Sequence, residues 1–134
     1  MLSAAANFYA SALRIDPHSP EAANGLGLAL AKQGQFEQDR QYFERAIAER
    51  HDYAEAINNL GVLYIRQGKI NDAIAAFQYG IRVAPDEDIL YLNLGRTYVQ
   101  MRQIESARLV MQQLLDRKPD DETARKALRD LAGR

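Results

Sequence analysis

The chain has 134 residues, of which 47% are apolar, and a formal net charge of -1. It is long enough for one compact domain or one short solenoid, and it lacks the basic excess that drives binding to nucleic-acid phosphates. With no cysteine, it has no disulfides, zinc thiolate sites or thiol nucleophiles. No apolar run approaches the 18 or so residues of a membrane span.

The first elements are read from the N-terminus. Met1-Leu2-Ser3-Ala4-Ala5-Ala6 is apolar, but no Lys or Arg precedes Arg14, and Asn7 and Tyr9 interrupt the run. A signal peptide has a basic region before its apolar stretch, so residues 1–19 are read instead as a helix. From residue 20 onward the chain repeats itself every 34 residues. Ten positions of 20–53 are identical to their counterparts in 54–87, among them Asn24/Asn58, Leu26/Leu60, Gly27/Gly61, Gly34/Gly68 and Phe43/Phe77. Nine positions of 54–87 recur in 88–121, among them Asn59/Asn93, Leu60/Leu94, Gly61/Gly95, Tyr64/Tyr98 and Ala73/Ala107. Ordinary residue usage gives about two identities per comparison.

Each unit reads as two helices. In 54–67, Ile57, Leu60, Leu63 and Tyr64 recur at helical spacing and Gly68 stops the helix. Asn71-Asp72 then offers a new N-cap, Ile74, Phe77, Ile81 and Ala84 form a second apolar stripe, and Pro85 ends it. Gly27, Gly61 and Gly95 sit inside first helices, where each costs about 1 kcal/mol against Ala; their common phase predicts a close helix crossing. The segment 122–134 places Ala124, Ala127, Leu128 and Leu131 on one side and Arg125, Lys126, Arg129 and Asp130 elsewhere. That is the pattern of a polar-backed capping helix. The N-terminal end has no such cap, so Leu2, Tyr9 and Leu13 are expected to lie partly bare there, a surface suited to self-association.

The period and residues resemble the tetratricopeptide repeat family. The matching positions are Ile57, Leu60, Gly61, Tyr64, Ala73, Phe77, Gly80 and Pro85 in unit 54–87, and Tyr91, Leu94, Gly95, Tyr98, Ala107, Met111, Leu114 and Pro119 in unit 88–121. Unit 20–53 matches more loosely, and Ala5, Tyr9, Ala12 and Pro17 fit the second helix of an incomplete unit in 1–19. The resemblance implies an all-α fold, a right-handed solenoid of antiparallel helix hairpins. Three positions depart from the pattern. Asp39 replaces a small apolar residue at the crossing and is expected to reach solvent or pair with Arg40. Arg102 stands where Gly34 and Gly68 make the hairpin turn, and His51 replaces Pro85 and Pro119.

Catalytic chemistry finds no foothold. His18 and His51 lie in linkers about one repeat apart, and none of Ser3, Ser11, Ser19 and Ser106 sits in a nucleophile elbow. Gly25-Leu26-Gly27 lies within a helix and lacks the third glycine of a dinucleotide loop. Glu44 with Arg40 and Glu49 with Arg45 have the spacing of solvated helix pairs. No catalytic residue, metal ligand or cofactor is expected, and the chain is read as a non-enzyme. Glu21 and Glu55 lie among Lys32, Arg66 and Arg96, so no basic stripe for nucleic acid emerges.

In the family resembled, first helices line a concave groove. By offset, the groove here comprises Asn24, Leu28, Lys32, Asn58, Asn59, Val62, Arg66, Ile89, Leu92, Asn93, Arg96 and Gln100. Asn59 and Asn93 share one phase, and an Asn amide both donates to and accepts from a peptide unit. The family's clamp for chaperone tails needs Lys, Arg and Asn at set positions. Asn24, Leu28, Asn59, Ile89 and Asn93 stand there, and only Asn59 fits, so that mode is not expected. Leu28, Val62, Ile89 and Leu92 suit an apolar element such as an amphipathic helix. The expected role is a scaffold that binds a protein or peptide; the alternatives are a self-associating structural module or an accessory region of a larger protein or enzyme.

Overall fold

The computed structural model describes residues 2–133; Met1 and Arg134, at the outer ends of the first and last predicted segments, lie outside them. Among the described residues there are eight α-helices and no strand: α1 Ala4–Ile15, α2 Pro20–Ala31, α3 Phe36–Glu49, α4 Ala54–Arg66, α5 Ile70–Val83, α6 Asp88–Gln100, α7 Ile104–Arg117 and α8 Glu122–Ala132. Helix starts are written in short polar side chains. Ser3, Ser19 and Asp121 accept the backbone N–H of Ala6, Ala22 and Ala124, and Pro20 occupies the first turn of α2, where its missing N–H costs nothing. α5 begins before the predicted cap, so Asn71 and Asp72 fall inside its first turn.

Two hairpin turns use glycine in the left-handed region, Gly34 with φ 78° and Gly68 with φ 76°. Arg102 adopts the same conformation at the same phase, with φ 60°. A Cβ at this φ crowds the neighbouring carbonyl, so the third turn is strained where the first two are not.

The chain divides into two compact units, one running through Ala76 and the other from Phe77, with the division inside α5. In the N-terminal unit, α2 packs on α1 and α3, and α3 on α4. Leu26, Leu30, Phe43, Ala46, Ala56 and Ile57 are buried. Gly27 is the reason α2 and α3 approach closely: a Cβ there would fall 2.8 Å from the Phe43 ring and 3.3 Å from the Asp39 carbonyl. At the N-terminal end, Leu13 is buried and Tyr9 packs its ring against Gly25, whereas Phe8 and Ile15 are the bare residues, 68% and 87% exposed. The expectation of partly bare side chains stands for Leu2 and for Tyr9, which is half-buried, but Leu13 turns inward because the α2 side of α1 supplies the seat it needs.

Asp39 does not reach solvent. It is fully buried, and neither carboxylate oxygen has a hydrogen-bond partner. Arg40 pairs instead with Glu44 and Glu37, each at 3.0 Å on its own helix. Burial pushes the Asp39 carboxyl up to about 6, opposed by the charge of Arg66. Asp39 keeps its place because the helix period fixes that position against α2 whatever the side chain.

In the C-terminal unit α6 packs on α7 and α7 on α8. Leu90, Tyr91, Leu94, Ala107, Met111, Leu114, Ala124 and Leu131 are buried. Tyr91 donates its buried hydroxyl to the Pro85 carbonyl at 2.7 Å, and Arg108 donates to the Leu131 carbonyl at 2.8 Å, tying α7 to the end of α8.

Linkers in both units are braced by ion pairs. His18 meets Glu49 at 2.7 Å, so Arg45, predicted to pair with Glu49, turns to the Pro17 carbonyl at 3.1 Å. The Glu49 contact, chiefly its hydrogen bond, raises the His18 imidazole above its ordinary value. Asp86 meets Arg117 at 2.8 Å, Lys118 meets Asp88, and Arg50 meets Glu21. These pairs are exposed and contribute little to stability one by one.

Candidate functional site

The predicted groove residues fall on α2, α4 and α6. In the N-terminal unit, Leu28 and Val62 occupy one phase of successive first helices and are 39% and 38% exposed. One turn further on, Lys32 and Arg66 are exposed at another shared phase. In this unit α2 and α4 therefore each present an apolar side chain followed, at the helix end, by a cation. Arg66 also lies over the Phe36 ring, 5.3 Å from its centroid.

Asn24 and Asn59 are brought together. Asn24 is only 3% exposed, and its side-chain oxygen accepts from the Asn59 amide at 3.0 Å. The Tyr53 side chain, at the N-cap of α4, lies beside Asn24. Asn59 satisfies the side-chain oxygen of Asn24, a buried acceptor that would otherwise be costly. Asn58 is half-buried. Beside this amide pair a cavity of 610 Å³ opens between α1, α2 and the start of α4, with Tyr9, Gly25 and Leu28 along it, Glu21 and Glu55 at one end and Lys32 at the other.

In the C-terminal unit, Ile89 is 44% exposed, Leu92 and Asn93 are half-buried, and Arg96 and Gln100 are exposed. The Asn93 carbonyl accepts from the buried Thr97 hydroxyl at 2.7 Å. Leu92 and Arg96 meet at a second cavity, of 280 Å³, between α6, α7 and α8. Gly95 and Met111 form its floor, and Ala127 and Asp130 come from α8. Sequence reasoning missed the α8 side, having treated that helix only as a cap. It also missed Tyr9, Glu21 and Tyr53 in the first cavity. The signal was available in the phases: Met111 and Ala127 stand where Phe43 and Asn59 stand one unit pair earlier.

His18 and His51 sit in the linkers just before α2 and α4 and line neither cavity. Among the described residues no group of three His, Asp or Glu side chains is placed to hold a metal ion, and no helix is long and apolar enough to cross a membrane.

A family model described as tetratricopeptide repeat matches residues 1–56 and 64–131, and a second with the same description matches 42–75. The chain belongs to the tetratricopeptide repeat (TPR) family. Solved TPR structures agree with the fold. The crystal structure of MamA has a TM-score of 0.74 at 22% identity, covering 92% of this chain and 72% of that one. The first TPR domain of Spaghetti (RPAP3), bound to the HSP90 peptide SRMEEVD, has a TM-score of 0.71 at 16% identity, covering 86% and 94%. PilF of Pseudomonas aeruginosa has a TM-score of 0.75 at 21% identity, covering 92% and 56%. No curated protein sequence matches this TPR chain.

Proposed function

We propose that this TPR chain is a non-catalytic scaffold that binds another protein or peptide on its first helices. The observation that carries the reading is the repeated presentation on α2 and α4. Leu28 and Val62 stay exposed at one phase, followed by Lys32 and Arg66 at another. Exposed apolar side chains recurring at a fixed interval, each followed by a cation, suit an amphipathic or extended segment of a partner that carries acidic residues. A solved neighbour of the same fold holds a peptide, which supports the class of ligand and not its identity.

The test is selection of random 16-residue peptides displayed on phage against the whole chain. The affinity of the enriched peptides is then measured on two double variants. Leu28→Asp with Val62→Asp is expected to weaken them about tenfold or more. Asn59→Ala with Asn93→Ala is expected to weaken them less, because the Asn59 amide is partly committed to Asn24. Unchanged affinity in the first double variant, with helical circular dichroism intact, sinks the reading.

A second reading rests on α1. Phe8 and Ile15 form an apolar outer face there, and self-association would cover it. Light scattering across a dilution series distinguishes the two: a mass independent of concentration removes self-association.

A further inference from the structure

The two units treat one crevice differently. In the N-terminal unit the space between α2, α3 and α4 is crossed by the Asn24–Asn59 amide pair, and the Phe43 ring presses on Gly27. The same phases in the C-terminal unit carry Leu92, Ala127, Met111 and Gly95. Two amides become an aliphatic side chain and a methyl, and a rigid ring becomes a flexible thioether. What results is the 280 Å³ cavity, largely apolar, with the Met111 methyl beside Gly95. Arg96 from α6 and Asp130 from α8 stand at its edge; both are exposed, and neither enters an ion pair among the described residues.

We propose that this cavity is an anchor pocket of the C-terminal unit, taking one aliphatic side chain of a partner polypeptide whose neighbouring residues are an acid and a base. The proposal rests on the scaffold reading above and adds the chemistry of the contact. An apolar pocket with few polar groups at the rim is the usual form of a hot spot, in which one buried side chain carries most of the affinity. Arg96 and Asp130 supply the charge complement. They favour a guest with a carboxylate on the α6 side and a cation on the α8 side, and they oppose the reversed order. Methionine adapts its shape to the guest more readily than the phenylalanine of the other unit.

The chain contains three methionines, Met1, Met101 and Met111, so methyl-labelled methionine gives a spectrum in which the pocket reports on itself. The whole chain is titrated with the acetylated, amidated peptide Ser-Glu-Ser-Leu-Ser-Lys-Ser, with the same peptide having Glu and Lys exchanged, and with the first having Ser for Leu. One of the two leucine peptides should shift the Met111 methyl saturably, binding about fivefold or more tighter than the other, while Met101 stays still. Ala127→Leu, which fills the pocket, and Leu92→Asn with Ala127→Asn, which recreates the amide pair, should each weaken that binding about tenfold. Arg96→Glu with Asp130→Arg should reverse the preferred charge order.

The pocket assignment is overturned if the serine peptide moves Met111 equally, if both charge orders bind alike, or if Ala127→Leu binds like the parent. Saturation by octanoate with neither peptide bound would assign the cavity to an acyl chain and overturn it as well. Peptides selected on phage that bind without moving Met111 would remove this pocket while leaving the scaffold reading in place.

Discussion

The crossing of α2 on α3 and the crossing of α6 on α7 occupy the same place in the repeat and are built differently. The first has Gly27 beneath the Phe43 ring and a buried, unpartnered Asp39; the second has Gly95 beneath the Met111 methyl and a buried Ala107. The phase of the repeat decides where a side chain goes, and the side chain decides whether that place is filled, charged or hollow. A solenoid can therefore vary its crevices one by one without changing its helices.

The largest effect expected is at the filled crossing. Phe43→Ala should cost about 3–5 kcal/mol, because a rigid ring leaves a cavity that cannot collapse. Met111→Ala should cost less, about 2–3 kcal/mol, since its site already borders open space and the lost side chain packs loosely. Urea unfolding of both variants checks the order; equal losses would mean that the two crossings are packed alike.

Asp39→Ala should stabilise the protein by about 2 kcal/mol at pH 7.5, and Ala107→Asp should destabilise it by a similar amount. The sign follows from the proton. Asp39 holds its proton more tightly in the folded chain, about 6 against an ordinary 3.8. Its protonated form is therefore no burden below pH 4, and stability falls as pH rises through 6. The charges facing it are few: Arg66 of α4 favours the carboxylate and limits the rise. Other acids pull the opposite way at lower pH. Glu21 is held below its ordinary value chiefly by its own backbone N–H and then by Arg50, and Glu37 chiefly by Arg40. Stability should thus increase from pH 7.5 to about 5 and decline below about 4 as those carboxylates protonate. Asp39→Asn should remove most of the upper slope and leave the lower one; what remains above pH 5 is the slope of the same sign from the raised, exposed His18 imidazole. A parent whose stability is flat between pH 5 and 7.5 would show that Asp39 is hydrated.

Smaller effects come from the amide pair and the strained turn. Asn59→Ala removes a partner of buried Asn24 and should cost about 1 kcal/mol, whereas Ala127→Ser at the matching phase should be nearly neutral. Arg102→Gly should stabilise by about 1 kcal/mol, since φ 60° suits glycine. The mirror change Gly68→Arg should cost a similar amount. Melting temperatures resolve both.

Much of the fold was legible because a repeat states its phase several times over. Leu26, Leu94, Tyr91, Phe43 and Phe77 are buried as their spacing predicts, and Arg102 stood out because two glycines precede it at the same interval. What the phase could not give was the partner. It placed Asp39 at a crossing, and a general preference for solvated carboxylates pointed it outward; the backbone allowed no such escape. It placed Asn59 in a groove without saying that its amide would reach Asn24 rather than a guest. Leu13 looked bare because its own helix has an apolar face on more than one side, and only the position of α2 shows that Phe8 and Ile15 are left over. The second cavity was hidden for a related reason, since Ala127 and Asp130 acquire meaning only beside α6 and α7.

The linker braces have a consequence for repeat order. His18 and Glu49 are 31 residues apart, and so are Asp86 and Arg117, but the signs are reversed: base before acid in one, acid before base in the other. Moving residues 88–121 into the place of 20–53 would set Arg117 against His18, two groups that repel once the imidazole is protonated. Equal length and equal phase do not make these modules interchangeable. The joints act as keyed connectors, and a shuffled chain would betray its wrong assembly first at mildly acidic pH, where the mismatched key carries its full charge.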